Sequence, residues 1–242
     1  MNNPLISIIT VCYNSEKTIK DTIESVLNQT YKNFEYIIVD GKSTDNTLHI
    51  INQYDDKRIK LISEKDNGIY DAMNKGIKVA KGDIIATINS DDILENDLIF
   101  STIVNNFKED DEILYGNVRY YNYDFSKIIR DYISGPNNKK TWCPAHPSLY
   151  IKKRVFNKIG LYDLQYKISA DYDFMIRCKI NKIGFKYINQ YFVKMRYGGK
   201  SNGIAGYFNN FVECIKVLKN NNVRFPISIT ILRTINTFLS YR

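Results

Sequence analysis

The chain has 242 residues, of which 44% are hydrophobic and 25% are charged, as in a soluble globular protein with a sizeable core. No apolar stretch reaches the roughly 18 residues of a spanning helix, and the segment before Pro4 does not resemble a signal peptide. The four cysteines and two histidines are not spaced as zinc ligands, so we expect reduced thiols and a cytoplasmic protein.

The net charge of +8 is concentrated near the end of the chain. Residues 1–173 carry 22 basic and 25 acidic side chains, whereas residues 174–242 carry 12 basic side chains and one acid, Glu213. This excess favours an anionic partner for the last third, which could be nucleic acid, anionic lipid or a phosphate-bearing substrate. A solvated basic face is the alternative interpretation.

The first half of the chain alternates between strand-like and helix-like segments. In chain order we predict a strand over Leu5–Tyr13, a helix over Lys17–Asn28 that Ser15 can cap, a strand over Phe34–Asp40, a helix over Asp45–Tyr54, a strand over Ile59–Ser63, a helix over Tyr70–Ala80 and a strand over Asp83–Asn89. The alternation predicts an α/β fold with a mostly parallel sheet covered by helices. Ligands of such sheets bind outside the carboxyl ends of the strands, so Asn14, Asp40 and Asp91 should line one crevice.

The second half is less regular. We predict tyrosine-rich strands over Glu112–Tyr123 and Lys127–Ile133, a polar loop over Ser134–Thr141, a strand over Pro147–Ile151, helices over Lys153–Ile159 and Ala170–Asn181, a strand over Phe185–Arg196, and helices from Ile204 onward with a break near residues 220–226. The simplest division is one domain over residues 1–203 and a helical C-terminal extension over residues 204–242.

Residues 88–92, INSDD, carry the clearest chemical signal. Asp91 and Asp92 follow a short apolar run that is typical of a buried strand, and two carboxylates on a rigid edge suit a hard divalent cation with bound phosphates. A turn rich in aspartate is the simpler interpretation of these letters alone. The chain lacks GxGxxG after its first strand and lacks GxxxxGK[ST], so the sequence signals neither a dinucleotide site nor a P-loop.

Five segments in order resemble the family 2 glycosyltransferases, which are inverting enzymes with the GT-A fold. They are VCYNSEKTI at 11–19, VDGKSTDNT at 39–47, SEKDNGIYDAMNKGI at 63–77, INSDD at 88–92 and ISADYDFMIR at 168–177. The resemblance extends from about Pro4 to Asn202 and is closest to bacterial members that build surface polysaccharides and O-antigens. It implies a Rossmann-like mixed sheet in which residues 1–92 bind the nucleotide-sugar and residues 93–203 bind the acceptor.

The resemblance also implies a donor site and a metal site. The expected donor-binding residues are Tyr13, Asn14, Asp40, Ser43, Asp66, Asp71, Asn74, Lys75, Ser90, Asp91, His146 and Lys200. Asp40 would accept the imide N–H of uracil, thymine or guanine, although a turn cap is a second interpretation. Asp91 and Asp92 would hold Mn²⁺ or Mg²⁺, with Asp91 near the ribose or the metal and Asp92 on the metal.

The segment ISADYDFMIR offers a general base. Ser169 can cap a helix whose first turn contains Asp171 and Asp173, where carboxylates also suit the helix dipole without any function. Related enzymes carry Glu-Asp here and use the Asp as the base, so Asp171 takes that role by position and Ala170 replaces the glutamate. A single base implies inversion at the anomeric carbon. We expect Arg177 to be structural or to face a phosphate.

Other positions depart from the family pattern or allow two interpretations. Met73 stands where many relatives have arginine, so the expected cationic contact is either absent or shifted to Lys75 or Lys65. Gly41 stands where many relatives have a second aspartate. His146 is either near the diphosphate or simply packed. The glycine-rich loop of residues 197–203, which contains Lys200, could close over the donor.

The expected function is transfer of a hexosyl or hexosaminyl group from a nucleotide diphosphate, with a UDP-sugar favoured, to a lipid-linked intermediate of surface polysaccharide. The C-terminal helices could rest on the inner leaflet of the plasma membrane, pack on the domain or form a homodimer contact. A nucleotidyltransferase that makes an activated sugar is an alternative, but residues 11–19 lack its glycine-rich arginine loop. A nucleic-acid-binding module is another, but the 19 tyrosines are spread along the chain and an acidic crevice would repel phosphates, so we expect no nucleic acid. An inactive relative that only binds nucleotides is the third.

Overall fold

The computed structural model describes residues 3–136, 143–198 and 204–239. Its strands are β1 (Ile6–Cys12), β2 (Phe34–Asp40), β3 (Ile59–Ser63), β4 (Ile84–Asn89), β5 (Ile93–Leu94), β6 (Ile113–Tyr121), β7 (Ile128–Tyr132), β8 (Leu149–Lys152) and β9 (Phe185–Arg196). Its helices are α1 (Ile19–Leu27), α2 (Thr47–Ile51), α3 (Ile69–Val79), α4 (Ile99–Asn106), α5 (Lys153–Ile159), α6 (Ala170–Ile180), α7 (Ile204–Asn220) and α8 (Pro226–Leu239).

The described strands form one mixed sheet in the order β3-β2-β1-β4-β8-β6-β9-β5, with β7 paired to β6. Strands β1 to β4 pair in parallel, β8 joins β4 and β6 in antiparallel fashion, and β6 and β9 are parallel. The register places Asp40 opposite both Cys12 and Ser63, so the loops that follow three strands emerge at one edge. The α/β prediction is confirmed, and the predicted crevice would lie along this edge.

Apolar runs explain why the inner strands lie at the centre. All seven residues of β1 are buried, and so are six of the seven in β2, because helices cover both faces of the parallel half. One face packs against α3, α5, α6, α7 and α8, and the other packs against α1, α2 and α4. The approach of α3 is close, since a Cβ atom at Gly76 would lie 2.5 Å from Ile9 Cγ2.

Several local predictions were wrong. The short strand β5 and helix α4 were not foreseen, and a 3₁₀ turn at His146–Ser148 precedes β8 where a strand was expected from Pro147. Ser15 does not cap α1, which begins after Thr18, because its hydroxyl is 2.8 Å from Ser90 Oγ. Ser169 occupies the N-cap position of α6, but its hydroxyl instead donates to Asn210 of α7.

Helices α7 and α8 share a core with the rest of the chain. Cys214, Val217, Leu218 and Ile229 are buried in the same cluster as residues of α3, α5 and α6. None of the helices in the described ranges is long and apolar enough to cross a membrane. The domain boundary at residue 203 falls among residues 199–203, outside the described part of the chain, and stays a prediction.

Candidate active site

The loops after β1 and β2 are joined by side-chain hydrogen bonds. Asn14 adopts a left-handed conformation with φ of 50°, and its Oδ1 accepts the N–H of Thr44 at 2.8 Å. The N–H of Asn14 donates to Ser43 Oγ at 2.9 Å. These two hydrogen bonds involve Asn14 and Ser43, which are both predicted donor-binding residues, and they fix the loops after β1 and β2 relative to each other.

Asp40 is fully buried at the end of β2, and its carboxylate accepts several bonds from the chain. Ser63 Oγ donates to it at 2.7 Å, and the N–H groups of Lys42 and Ser43 donate at 3.1 and 3.2 Å. The turn-capping interpretation is therefore present in the structure. A contact with a nucleobase would have to use the remaining lone-pair capacity of this carboxylate and stays a prediction.

Gly41 allows the Asp66 carboxylate to approach the turn after β2. A Cβ atom at residue 41 would clash with Asp66 Oδ2 and would lie 3.5 Å from the ring of Tyr13. Tyr13 is 54% exposed, and the other oxygen of Asp66 accepts the Gly68 N–H at 2.9 Å. Glycine at this position thus leaves room for an acid that comes from the β3–α3 loop.

The acidic pair follows β4, and its two members differ in exposure. Asp92 is 1% exposed, and its carboxylate accepts bonds from Asn89 Nδ2 at 2.9 Å and from the Arg196 N–H at 3.2 Å. Asp91 is partly exposed. Burial raises the pKa of both carboxyl groups, and for Asp92 the charge of Asp91 raises it further. Arg196 opposes both shifts, and its guanidinium also donates to the Asp91 carbonyl at 2.8 Å.

This pair is chemically suited to a divalent cation. Hard cations prefer oxygen ligands, and Mg²⁺ is commonly held by one or two carboxylates together with substrate phosphates. Two adjacent carboxylates that burial and mutual repulsion disfavour as anions would be stabilised by a positive ion. Within the described residues no group of three or more His, Cys, Asp or Glu side chains could hold a metal, so the remaining ligands would come from donor and solvent.

Three predicted donor-binding residues on α3 have contacts within the chain. The Asn74 amide is 5% exposed and bonds both the Tyr162 carbonyl, at 2.8 Å, and the Tyr162 N–H, at 3.0 Å. Lys75 Nζ lies 3.0 Å from Glu64 and 3.7 Å from Asp71. Asn74 therefore anchors α3 to the segment before α6, while Lys75 places a positive charge at the β3–α3 loop.

Asp171 is in the first turn of α6 and contacts the start of α3. Tyr70 Oη lies 2.9 Å from Asp171 Oδ1 and 2.7 Å from the Ile168 carbonyl. Burial and the charge of Asp171 raise the pKa of Tyr70 well above its ordinary value of 10.0, so the phenol keeps its proton. Tyr70 was not predicted as a site residue, and its sequence position in the helix gives no sign of this distant contact.

Asp173 and Arg177 have a structural role. Asp173 is 3% exposed and binds Arg177 Nε at 2.7 Å. The two terminal nitrogens of Arg177 donate to the carbonyls of Ile159 and Leu161 at 2.6 and 2.7 Å. All three nitrogens of the guanidinium are thereby occupied, so the structural interpretation of Arg177 holds.

His146 lies between β4 and Tyr162. Its Nε2 is 3.1 Å from Thr87 Oγ1 and 2.9 Å from Tyr162 Oη, and the Tyr162 ring contacts the Tyr70 ring at 5.6 Å between centroids. Burial lowers the pKa of His146 below 6.5, and Asp171 partly opposes this shift. His146 is thus neutral at neutral pH, and the Tyr162 and Tyr70 rings lie between it and Asp171.

The predicted residues in the described part of the chain therefore fall into three groups. The first lies at the end of β2 and in the loops after β1, β2, β3 and β4, and consists of Tyr13, Asn14, Asp40, Ser43, Asp66, Ser90, Asp91 and Asp92. The second lies on α3 and consists of Asp71, Asn74 and Lys75, and the third is His146 and Asp171, which contact Tyr162 and Tyr70 respectively. Lys200 lies outside the described residues. Arg196 was missed by the sequence analysis because a single arginine at the end of a strand carries no motif.

The family is defined by comparison with known proteins. The sequence model of Glycosyl transferase family 2 matches residues 7–183, so the chain belongs to this family and is a glycosyltransferase. It is 32% identical over 226 residues to an uncharacterized glycosyltransferase, MJ1057 of Methanocaldococcus jannaschii, across 85% of this chain and 75% of that protein. It is 31% identical over 226 residues to the Escherichia coli UDP-Glc:alpha-D-GlcNAc-diphosphoundecaprenol beta-1,3-glucosyltransferase WfaP, across 91% of this chain and 88% of that protein.

Solved structures share the fold. S. aureus TarS 1-349 in complex with UDP-GlcNAc superposes with a TM-score of 0.72 at 19% identity, covering 93% of this chain and 69% of that one. The mannosyltransferase PcManGT from Pyrobaculum calidifontis, in complex with GDP-Man and Mn²⁺, superposes with a TM-score of 0.66 at 14% identity, covering 99% of this chain and 76% of that one. The predicted GT-A fold is confirmed.

Proposed function

We propose that the chain is an inverting enzyme that transfers a hexosyl or hexosaminyl group from a nucleotide diphosphate to a glycan hydroxyl. The observation that carries this proposal is the placement of two separate carboxylate groups at the carboxyl ends of the parallel strands. Asp91 and Asp92 follow β4, and Asp171 contacts Tyr70 at the start of the helix that follows β3. One group suits the leaving diphosphate, and the other suits the attacking hydroxyl.

Asp171 is the proposed general base. The single O–H of Tyr70 is shared between Asp171 Oδ1 and the Ile168 carbonyl, which fixes the position of Oδ1. Oδ2 is left to take the proton of the acceptor hydroxyl as its oxygen attacks the anomeric carbon. The bond to the diphosphate oxygen breaks as the new glycosidic bond forms, so one displacement inverts the configuration. A positioned base typically contributes about 10²–10⁴-fold to the rate.

Asp91 and Asp92 are the proposed ligands of Mn²⁺ or Mg²⁺. When bound, such an ion acts as a Lewis acid that neutralises the negative charge of the leaving diphosphate. Asp91, the more exposed of the two, faces the donor, while Arg196 fixes the turn that carries both acids. The presence of Mn²⁺ in the PcManGT complex supports this assignment.

A UDP-sugar is the proposed donor, and a lipid-linked glycan of surface polysaccharide is the proposed acceptor. The donor and acceptor in the name of WfaP, and the UDP-GlcNAc bound to TarS, support this choice. Tyr13, Asn14, Asp40, Ser43 and Asp66 would bind the nucleoside at the crevice edge. Asp71, Asn74, Lys75, Ser90, His146 and Lys200 complete the proposed donor site.

Nucleotide release from UDP-, dTDP- and GDP-sugars, with Mn²⁺, Mg²⁺ or EDTA, tests the proposal. We expect metal-dependent release from one donor class that Asp92→Ala abolishes and Asp97→Ala, an exposed acid nearby, does not. Release that persists in EDTA would contradict the metal assignment. A chain that neither releases nor binds any nucleotide with metal would contradict the donor site.

We also propose that helix α8 rests on an anionic membrane surface. Ile227, Ile231, Leu232 and Ile235 recur at helical spacing, and each is 44–54% exposed, so one side of α8 is apolar and open. Exposed Lys216, Lys219 and Arg224 lie in the same helical pair and its connection. An apolar helix face with basic neighbours suits a leaflet of anionic lipids, which would bring the chain to a lipid-linked acceptor.

A further inference from the structure

Glu213 makes three hydrogen bonds to the loop that precedes the proposed base. It lies on α7, and its Oε1 accepts the N–H of Lys167 at 2.9 Å. Its Oε2 accepts the N–H groups of Ile168 and Ser169, each at 2.9 Å. Three successive backbone N–H groups thus converge on a single carboxylate, an arrangement that binds anions strongly.

This loop leads directly to the catalytic end of α6. Ser169 is the residue before the helix, and its hydroxyl donates to Asn210 of α7 at 3.1 Å. The carbonyl of Ile168 and the carboxylate of Asp171 lie within reach of the same Tyr70 hydroxyl. A shift of the loop would therefore change the distance between Asp171 and Tyr70.

We propose that Glu213 is a positioning residue for Asp171. It fixes the backbone of residues 167–169 from α7, while Tyr70 holds the carboxylate from α3, so the base is supported from two helices. Ala170 is fully buried, and a glutamate at that position would have to displace core atoms. The carboxylate that stabilises this turn is supplied instead by α7. This inference rests on the assignment of Asp171 as the base.

The charge distribution gives independent support. Glu213 is the only acid among residues 174–242, which contain 12 basic side chains. Its carboxylate accepts three backbone N–H groups of the loop, at 2.9 Å each. Its local role is therefore to hold the loop, and its negative charge also suits the N-terminal end of α6.

Glu213→Gln is the decisive variant because it keeps the side-chain length. A glutamine presents one acceptor and one NH₂ group, so at least one backbone N–H of the loop would face a donor. We expect nucleotide release from the donor to fall by roughly 10²-fold, since small misplacements of a reacting group cost about that much. The dissociation constant for the nucleotide is expected to stay unchanged, and Asn209→Ala, on the exposed side of α7, should behave as wild type.

Two further variants separate a positioning role from a structural one. In an Asp171→Asn background, Glu213→Gln should lower the residual rate no further, because its effect acts through Asp171. Glu213→Asp, which keeps the charge but is one methylene shorter, should recover part of the rate.

The inference would be overturned by wild-type turnover in Glu213→Gln, by parallel loss of nucleotide affinity, or by an unfolded variant. It would also be overturned if Glu213→Gln lowered the turnover of the Asp171→Asn variant by the same factor as it lowers the turnover of wild type. If Asp171→Asn itself retained full turnover, the base assignment would be the part that fails.

Discussion

The two acids in the first turn of α6 show how a side chain's surroundings decide its role. Asp171 is partly exposed and, within the described residues, its carboxylate contacts the Tyr70 hydroxyl, whereas Asp173 is 3% exposed and bonds both Arg177 and Asn221. A carboxylate with free lone pairs near a crevice can accept a proton from a substrate. A carboxylate whose two oxygens are already paired holds the fold together.

Asp173→Asn tests the structural half of this contrast. The change removes the charge that Arg177 Nε contacts at 2.7 Å, and it leaves a mostly buried guanidinium without its anionic partner. We expect the free energy of unfolding to fall by about 1–3 kcal/mol, measured by urea denaturation. Asp163→Asn, whose contacts are with nearby Gln165, is the control. Unchanged stability in Asp173→Asn would contradict the structural role.

His146 gives a prediction about pH. Its pKa in the folded chain lies below 6.5 because its partly buried ring loses solvation beside Thr87 and Tyr162, although Asp171 partly opposes the shift. The unfolded chain therefore binds more protons below about pH 6.5, and stability should fall as the pH is lowered through this range.

We expect urea unfolding to show a smaller loss of stability between about pH 6.5 and 5 in His146→Gln than in wild type. His49→Gln, on the exposed side of α2, is the matched variant. Identical pH dependence in wild type and His146→Gln would contradict the burial argument.

Site residues were predictable from the sequence only where they belong to contiguous motifs. Asp91 and Asp92 follow an apolar strand, and Asp171 lies in a segment that resembles the family pattern. Contiguous residues were therefore enough to identify these three acids as candidates. Tyr70 and Glu213 lie 101 and 42 positions from Asp171 along the chain, and only the fold brings them to it. The sequence shows Glu213 as the one acid in a basic segment, but it does not show that Glu213 contacts the backbone N–H groups of residues 167–169.

At the level of secondary structure, the parallel half was predictable because its strands are continuous apolar runs and its helices have apolar faces at helical spacing. The predicted bounds of β2 and β3 agree with the structure to the residue. Helix α4 was missed although the shorter helices α2 and α5 were predicted, whereas β5 has only two residues and is too short to show an alternating pattern. The N-caps were wrong because the hydroxyls of Ser15 and Ser169 bond side chains that are distant in sequence.

The close approach of α3 to β1 gives a testable packing constraint. Alanine at Gly76 would gain up to about 1 kcal/mol of helix propensity, but its Cβ would lie 2.5 Å from Ile9 Cγ2, and such overpacking costs about 1–3 kcal/mol. The cost of the clash is expected to exceed the gain in helix propensity, so Gly76→Ala should lower the free energy of unfolding by about 1 kcal/mol.

Urea denaturation measures this loss of stability, and Gly76→Ala should cost less when it is introduced into an Ile9→Ala background, where the contacting Cγ2 atom is absent. Gly184→Ala, where the nearest atom to the new Cβ is 3.6 Å away, is the control. A Gly76→Ala variant more stable than wild type would contradict the described packing.

For the whole molecule, the positive C-terminal third and the apolar side of α8 point to the same kind of partner. We expect sedimentation with anionic phosphatidylglycerol vesicles that weakens as salt rises, and little sedimentation with phosphatidylcholine vesicles. Changing both Ile231 and Leu232 to glutamate should reduce binding at least about tenfold, since each buried apolar side chain contributes about 1.5–3 kcal/mol.

Leu98→Glu is the matched control for the vesicle experiment, because Leu98 is 53% exposed and Leu232 is 54% exposed. Binding that survives the α8 changes would contradict the membrane proposal. If the wild-type chain does not bind vesicles but sediments as a dimer, and the α8 variant sediments as a monomer, the apolar side of α8 would instead be an interface with a second copy of the chain.

The central claim is that Asp171 acts in turnover and not in donor binding. The most direct measurement compares turnover and nucleotide affinity in wild type, Asp171→Asn and Asp163→Asn. We expect Asp171→Asn to lower turnover about 10²–10⁴-fold and to leave the dissociation constant of the nucleotide unchanged, while Asp163→Asn should match wild type. Full turnover in Asp171→Asn, or a loss explained by weaker nucleotide binding, would contradict it.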